Sequence, residues 1–283
     1  MERKTLRYFI DHIRGKKMNA LLHKKIAIRL LILLFSTSPL LSHATSSDTL
    51  RFGTALGYAP FEYRGSDGKM TGFEIDLGNA ICTQLKKQCK WVETEISTMV
   101  PALKARKYDA ILASIGVTEA RKKLLLFTDK VHGGGTRLIA KENSGLSPDG
   151  AQLRGKRIGV EQGSSVENFA RQRWAPQGVA VVSYGNQDLV YNDLIAGRLD
   201  GMLTSEVQGQ LGFLDTDKGK GFAFSGQRIQ DPLIGTGVSA IAVDKSNTQL
   251  ASELNSAIAA LRANGTYQKI ASKYFPPSID IYQ

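Results

Sequence analysis

One stretch constrains this chain more than any other: Tyr108-Asp109-Ala110-Ile111-Leu112-Ala113-Ser114-Ile115-Gly116-Val117-Thr118-Glu119-Ala120-Arg121. Ala110 to Leu112 are too few and too apolar for a surface element, which predicts a buried strand. Ser114 and Gly116 interrupt it with small residues that let a backbone approach a ligand. Thr118 is a good N-cap, and Glu119 suits the first turn of the helix it opens. A strand ending in free backbone donors at a helix start suits an anion, and Arg121 adds a planar fork for a carboxylate. The same residues also fit an ordinary strand-to-helix turn with a solvated arginine.

The order recurs. Lys156-Arg157-Ile158-Gly159-Val160-Glu161-Gln162-Gly163-Ser164-Ser165 parallels the unit from Leu50 to Phe61. A helix over Leu189 to Ala196, then Gly197-Arg198-Leu199-Asp200-Gly201-Met202-Leu203-Thr204-Ser205-Glu206, parallels Val100 to Gly116. In both copies a helix ends, a basic residue and an aspartate follow, and an apolar strand closes on small polar residues. Strands and helices alternate throughout, so an α/β architecture with two similar lobes is expected. Apolar spacing predicts helices over about 73–86 and around Leu250 to Leu261, with a short helix at Val100 opened by Ser97 or Thr98. Gly65-Ser66-Asp67-Gly68 predicts a hairpin turn. Two glycine-rich segments, His132-Gly133-Gly134-Gly135-Thr136 and Asp231 to Gly237, read as crossings between lobes. If the chain returns to its first lobe after the second crossing, the pair forms a hinge, and a ligand sits where strand ends face each other.

The formal charge of +11 is concentrated at one end. Residues 1–44 hold nine Lys/Arg and two acids, which leaves 28 Lys/Arg against 24 Asp/Glu, a net of +4, for the rest. That balance argues against a nucleic-acid partner. Lys24, Lys25 and Arg29 precede the apolar run Leu30 to Phe35, and Ser42-His43-Ala44 follows. This is the pattern of a secretory leader cleaved after Ala44. A retained anchor is the alternative, but the run is well short of the ~20 residues a bilayer requires. Met1 or Met18 could be the start. Cys82 and Cys89 are the two cysteines. Seven residues of helix would hold them about 10.5 Å apart, beyond the roughly 7 Å a disulfide allows. A bridge therefore needs the helix to end near Lys86-Lys87-Gln88. An exported chain favours that bridge over two free buried thiols.

Several motifs in order carry a family likeness: Tyr58-Ala59-Pro60-Phe61-Glu62, Gly72-Phe73-Glu74-Ile75-Asp76-Leu77, Tyr108-Asp109-Ala110-Ile111, Thr118-Glu119-Ala120-Arg121, Gly155-Lys156-Arg157-Ile158-Gly159-Val160 and Gly265-Thr266-Tyr267. Together they resemble the solute-binding proteins of polar amino acid ABC importers, above all the lysine/arginine/ornithine- and histidine-binding branch, which also uses the Cys82/Cys89 spacing as a disulfide. The resemblance implies a two-lobed type II periplasmic binding protein fold. Lobe 1 would comprise 45–133 and 237–283 and lobe 2 134–236, with two crossover strands as hinge and a ligand cleft between lobes. It implies an α-carboxylate held by Arg121 with backbone donors at Ser114 and Ser164, and a side chain sandwiched by Tyr58 and Ile96. It implies a periplasmic monomer delivering an amino acid or derivative to a membrane permease, with no cofactor and no metal.

The departures concern the other end of the ligand. Ser205 stands where those relatives carry an aspartate for the α-ammonium. Ala113 and Gly116 replace serines, Ala55 replaces an acid, and Glu161 replaces an apolar residue. An unpaired ammonium in a closed cleft costs several kcal/mol. The expected ligand therefore has a cationic end near Glu161 and a carboxylate at Arg121: arginine- or lysine-like, or an opine-like compound with a substituted α-nitrogen. Glu161 could instead be a solvated residue at the cleft rim. Two other classes remain. A cleft enzyme of the same fold, dehydratase-like, could use Glu161 or Glu167 as a general acid, but His132 is the only histidine after the leader and no catalytic triad or metal-ligand cluster is present. A ligand-sensing protein would need a separate membrane partner.

Overall fold

The computed structural model describes residues 48–282. The leader, its cleavage point and the choice of start lie outside the described residues. In chain order the elements are β1 (Thr49–Thr54), β2 (Tyr63–Arg64), β3 (Met70–Thr71), α1 (Phe73–Gln84), β4 (Gln88–Glu93), α2 (Ile96–Lys104), β5 (Ala110–Ile111), α3 (Glu119–Lys122), β6 (Leu125–Gly133), β7 (Thr136–Lys141), β8 (Arg157–Glu161) and α4 (Ser165–Phe169). They continue with β9 (Ala180–Tyr184), α5 (Gln187–Ile195), β10 (Gly201–Ser205), α6 (Glu206–Gly209), β11 (Phe222–Ile229), β12 (Val238–Asp244), α7 (Thr248–Ala263) and α8 (Thr266–Tyr274). β2 and β3 form the expected hairpin.

The remaining strands form two five-stranded sheets, ordered β4-β1-β5-β12-β6 and β9-β8-β10-β7-β11. The sequence echo is thus a structural one. β1 and β8 each pair in parallel with a strand on either side. The fourth place in each sheet is filled by an antiparallel strand that arrives across a crossing: β7 follows β6 through Gly134-Gly135, and β12 follows β11 through residues 230–237. The echo extends to an ion pair. Arg51 in β1 holds Asp109 by its N–H at 2.9 Å and its Nε at 3.1 Å, and Arg157 in β8 holds Asp200 in the same way at 2.7 and 3.2 Å. Each aspartate immediately precedes the short strand that leads to the cleft.

The crossings lie side by side. The Gly134 N–H donates to the Gly237 carbonyl at 2.9 Å, and a Cβ on Gly237 would stand 2.2 Å from the Gly134 oxygen. With φ near +75° as well, only glycine fits at 237. The Gly133 N–H donates to the Ile281 carbonyl at 2.7 Å, and the Arg262 guanidinium covers the Tyr282 ring at 3.2 Å, so the C-terminal residues brace one crossing.

Each sheet packs its own core. α1 presents Phe73, Leu77 and Ile81, all fully buried, to the first sheet, where Phe52 stacks on Trp91 at 5.1 Å. Phe169, Trp174, Tyr191 and Phe213 fill the second. α1 ends before Cys89, and Cys82 and Cys89 are bridged with Cα atoms 5.6 Å apart. One expected helix start is corrected. α2 opens at Ile96 on Glu95, not at Ser97 or Thr98, because the Thr98 hydroxyl is turned back to the Glu95 carbonyl and Thr94. Among the described residues no helix is long and apolar enough to cross a membrane.

Candidate functional site

The ends of β5, β8 and β10 face each other beneath the crossings and enclose a cavity of about 100 Å³. All nine candidate site residues, Tyr58, Ile96, Ala113, Ser114, Gly116, Arg121, Glu161, Ser164 and Ser205, border this one space. The local sequence explains their placement. Thr118 caps α3, accepting from the Arg121 N–H at 3.2 Å, so Arg121 leaves the first turn toward the cavity. Ser164 caps α4 and Ser205 caps α6, which places both hydroxyls where a strand gives way to a helix.

Arg121 reaches across the cavity mouth. One Nη donates to the Gly116 carbonyl and the other to the Gly163 carbonyl, each at 3.0 Å, so one guanidinium touches both halves of the molecule. Glu161, at the end of β8, also borders the cavity and is 7 % exposed. Burial pushes its carboxyl up to about 8, against the pull of Arg121, and Asp188 adds to the push. Burial likewise draws Arg121 down to about 10, while Glu161 opposes the shift. Among the described residues Arg121 is the only Lys or Arg bordering the cavity, and neither it nor Glu161 forms an ion pair. A guanidinium and a buried carboxyl that holds its proton to about pH 8 therefore border one space.

The backbone donors expected of the carboxylate clamp have partners within the protein. The Ser114 N–H donates to Glu74 Oε2 at 2.7 Å, and the Ser164 N–H turns back to the Glu161 carbonyl at 3.3 Å. Both backbone donors are engaged within the protein. Gly116 lies beside both Ser165 and the guanidinium: a Cβ on it would stand 3.6 Å from Ser165 Oγ and 3.7 Å from Arg121 Nη1. The Ser165 N–H also belongs to a first helical turn, where no intrahelical acceptor exists.

Sequence reasoning missed what lies behind Ser114. The Ser114 hydroxyl donates to Glu62 Oε2 at 3.1 Å, and His132 Nε2 meets Glu74 Oε1 at 2.9 Å. Glu62, Glu74 and His132 are each no more than 4 % exposed. Burial pushes the Glu62 carboxyl well above the usual range, and neighbouring Glu74 pushes it further. Glu62 and His132 border the cavity, as do Gln187, Thr204 and Ser165.

The halves also meet at the rim. Gly212, in the segment after α6, approaches the Ala59 carbonyl, and Gly163 packs on the Ser97 backbone. Among the described residues no cluster of His, Cys, Asp and Glu is arranged to hold a metal ion.

Residues 50–277 match the family described as bacterial extracellular solute-binding proteins, family 3. The histidine-binding periplasmic protein of Salmonella typhimurium is 40% identical over 260 residues, covering 92% of this chain and 99% of that protein. The L-arginine-binding protein of Pseudomonas aeruginosa is 45% identical over 234 residues, 82% of this chain and 89% of that protein. A solved structure of an ancestral arginine-binding protein bound to arginine superposes with a TM-score of 0.75 at 30% identity, covering 81% of this chain and 99% of that one. The two crossed sheets are thus the type II periplasmic-binding-protein fold. These relatives are binding proteins.

Proposed function

This chain belongs to family 3 of the bacterial extracellular solute-binding proteins, and from that premise we propose that it captures a cationic amino acid or a derivative of one for an ABC importer. The observation that carries the reading is the pair Arg121 and Glu161, a guanidinium and a buried carboxyl that border one cavity between the halves, where an arriving cation would draw off the carboxyl's proton. The solute's carboxylate lies against Arg121, Gly116 and Ser165, and its cationic end against Glu161. Tyr58 and Ile96 flank the chain between them. Arginine, lysine, ornithine, histidine or an opine-like compound meets this pattern, and the arginine and histidine binders named above support it. Residues 45–133 with 237–283 form one lobe and 134–236 the other, hinged at the paired crossings. The solute stabilises the closed form because only that form offers both sets of contacts. The closed protein, exported to the periplasm, docks as a monomer on a membrane permease. No catalytic step is assigned, in keeping with relatives that are binding proteins.

A thermal-shift screen of the mature protein against these compounds, followed by calorimetry on the best of them, tests the reading. A hit carrying both a carboxylate and a cation is expected, and Glu161→Gln should weaken it. A best hit without a cationic group, or unchanged affinity in Glu161→Gln, would overturn the assignment.

A further inference from the structure

We propose that Glu74 is a positioning residue for the carboxylate end of the site: it fixes the bend at Ser114 that seats the Arg121 guanidinium. This rests on the solute-binding reading above and adds to it a residue that touches no solute. Ser114, Gly116 and Arg121 border the cavity, and Glu74 stands behind them.

The bend needs holding. Ser114 has φ near +47°, in the left-handed region that a residue with a side chain rarely adopts. Its N–H donates to Glu74 Oε2 at 2.7 Å, its hydroxyl donates to Glu62 Oε2 at 3.1 Å, and its carbonyl accepts the Ser239 hydroxyl at 3.3 Å. The Glu74 bond is the shortest of the three and holds the main-chain donor. Two residues on, the Gly116 carbonyl accepts from Arg121 Nη1 at 3.0 Å, and the Val117 N–H donates to the Val238 carbonyl at 2.8 Å. The bend is thus fastened to α1 through Glu74 and to β12 through Val238 and Ser239.

Glu74 is itself held in place. It is 1 % exposed. Its own N–H donates to the Phe61 carbonyl and the Phe73 N–H to the Pro60 carbonyl, each at 2.9 Å, so α1 starts against that backbone. Gly72 permits the approach, because a Cβ there would stand 2.2 Å from the Phe61 oxygen. Glu74 Oε1 meets His132 Nε2 at 2.9 Å, and the His132 ring stacks on Phe61 at 4.3 Å. His132 lies at the end of β6 and is in register with Ser239 of β12. One side chain therefore ties the first turn of α1 to the cavity bend and to the strand that enters the first crossing.

Without Glu74 the Ser114 N–H loses its acceptor, and the left-handed turn loses its shortest bond. The Gly116 carbonyl then drifts from Arg121, and the guanidinium loses one of its two carbonyl seats. The deficit falls on the solute's carboxylate, while the cationic end at Glu161 is left as it was.

The test compares L-arginine with L-argininamide, whose carboxylate is replaced by a neutral amide. Both are titrated calorimetrically into the mature protein, with argininamide read by displacement of arginine where it binds weakly. In Glu74→Ala arginine affinity should fall about tenfold or more and argininamide affinity by less than about threefold, so the preference for arginine shrinks. Glu74→Gln keeps an oxygen for the Ser114 N–H and should recover arginine affinity to within about threefold of wild type. Glu74→Asp is too short to reach both Ser114 and His132 and should repeat the selective loss, which carries the test if the alanine variant does not fold. A role in packing alone would weaken both solutes alike, so an unchanged ratio in a folded Glu74→Ala or Glu74→Asp overturns the proposal. Wild-type protein that does not prefer arginine to argininamide would instead sink the parent reading, and this inference with it.

Discussion

Gly212 in the second half lies so close to Ala59 in the first that a Cβ on it would stand 2.3 Å from the Ala59 carbonyl oxygen. The Gly212 backbone is outside the left-handed region, so an alanine there meets its obstacle only across the rim. Gly212→Ala should leave the ligand-free melting temperature unchanged while arginine affinity falls at least about tenfold, about 1.4 kcal/mol. Small-angle scattering of the saturated variant should show a larger radius of gyration than saturated wild type. Equal affinity would show that the rim can open by most of an ångström without cost to binding.

Arg121→Lys keeps the charge and removes the fork. The two bonds to the Gly116 and Gly163 carbonyls cannot both be kept by one ammonium with a different reach. A loss of roughly 30- to 100-fold in arginine affinity, about 2–3 kcal/mol, is expected. Calorimetry on a lysine variant with near wild-type affinity would remove Arg121 from the carboxylate end.

Glu161 gives stability a pH dependence with a definite sign. Burial pushes its carboxyl up to about 8 in the fold, from an ordinary value of 4.5. Between those values the native state holds a proton that the unfolded chain has lost, so this contribution to stability falls as pH rises through the window. Glu161→Gln removes it. The variant should gain melting temperature over wild type in ligand-free protein, by several degrees at about pH 8.5 and by little at about pH 5. A difference that stays flat across that range would mean the carboxyl is ionised at ordinary pH.

The Cys82–Cys89 bridge closes a short loop between α1 and β4. Loop-closure entropy for this separation gives about 2–3 kcal/mol. The double Cys→Ser variant should melt several degrees lower and bind arginine as wild type does, since the bridge is remote from the cavity-bordering residues. A parallel loss of affinity would show that the bridge positions the site.

The legible part of the fold was the part encoded locally. Glycine runs at 133–135 and around 235–237 marked the crossings, and the aspartate of each echoed unit, Asp109 or Asp200, proved to be held by an arginine of β1 or β8, Arg51 or Arg157. Ser114, Gly116 and Arg121 were legible from a strand end and a helix start, and the other candidate residues came from the family resemblance. Glu62, Glu74 and His132 were missed for a physical reason. A glutamate in the first turn of an amphipathic helix satisfies the helix dipole wherever it points, and a lone histidine in a strand carries no pattern. Only tertiary folding brings Glu74 beneath Ser114 and His132 beside it. Ser165 was obscured by Ser164, because two adjacent serines at a helix start give no clue which one caps and which one faces the cavity.

The Ile281 carbonyl bonded to Gly133, with Tyr282 pinned under Arg262, links the chain's final turn to its bending point. The stiffness of that joint is therefore set partly by residues about 150 positions away in sequence. Trimming or retuning those few positions offers a handle on how readily the molecule snaps shut, while the pocket chemistry stays as it is.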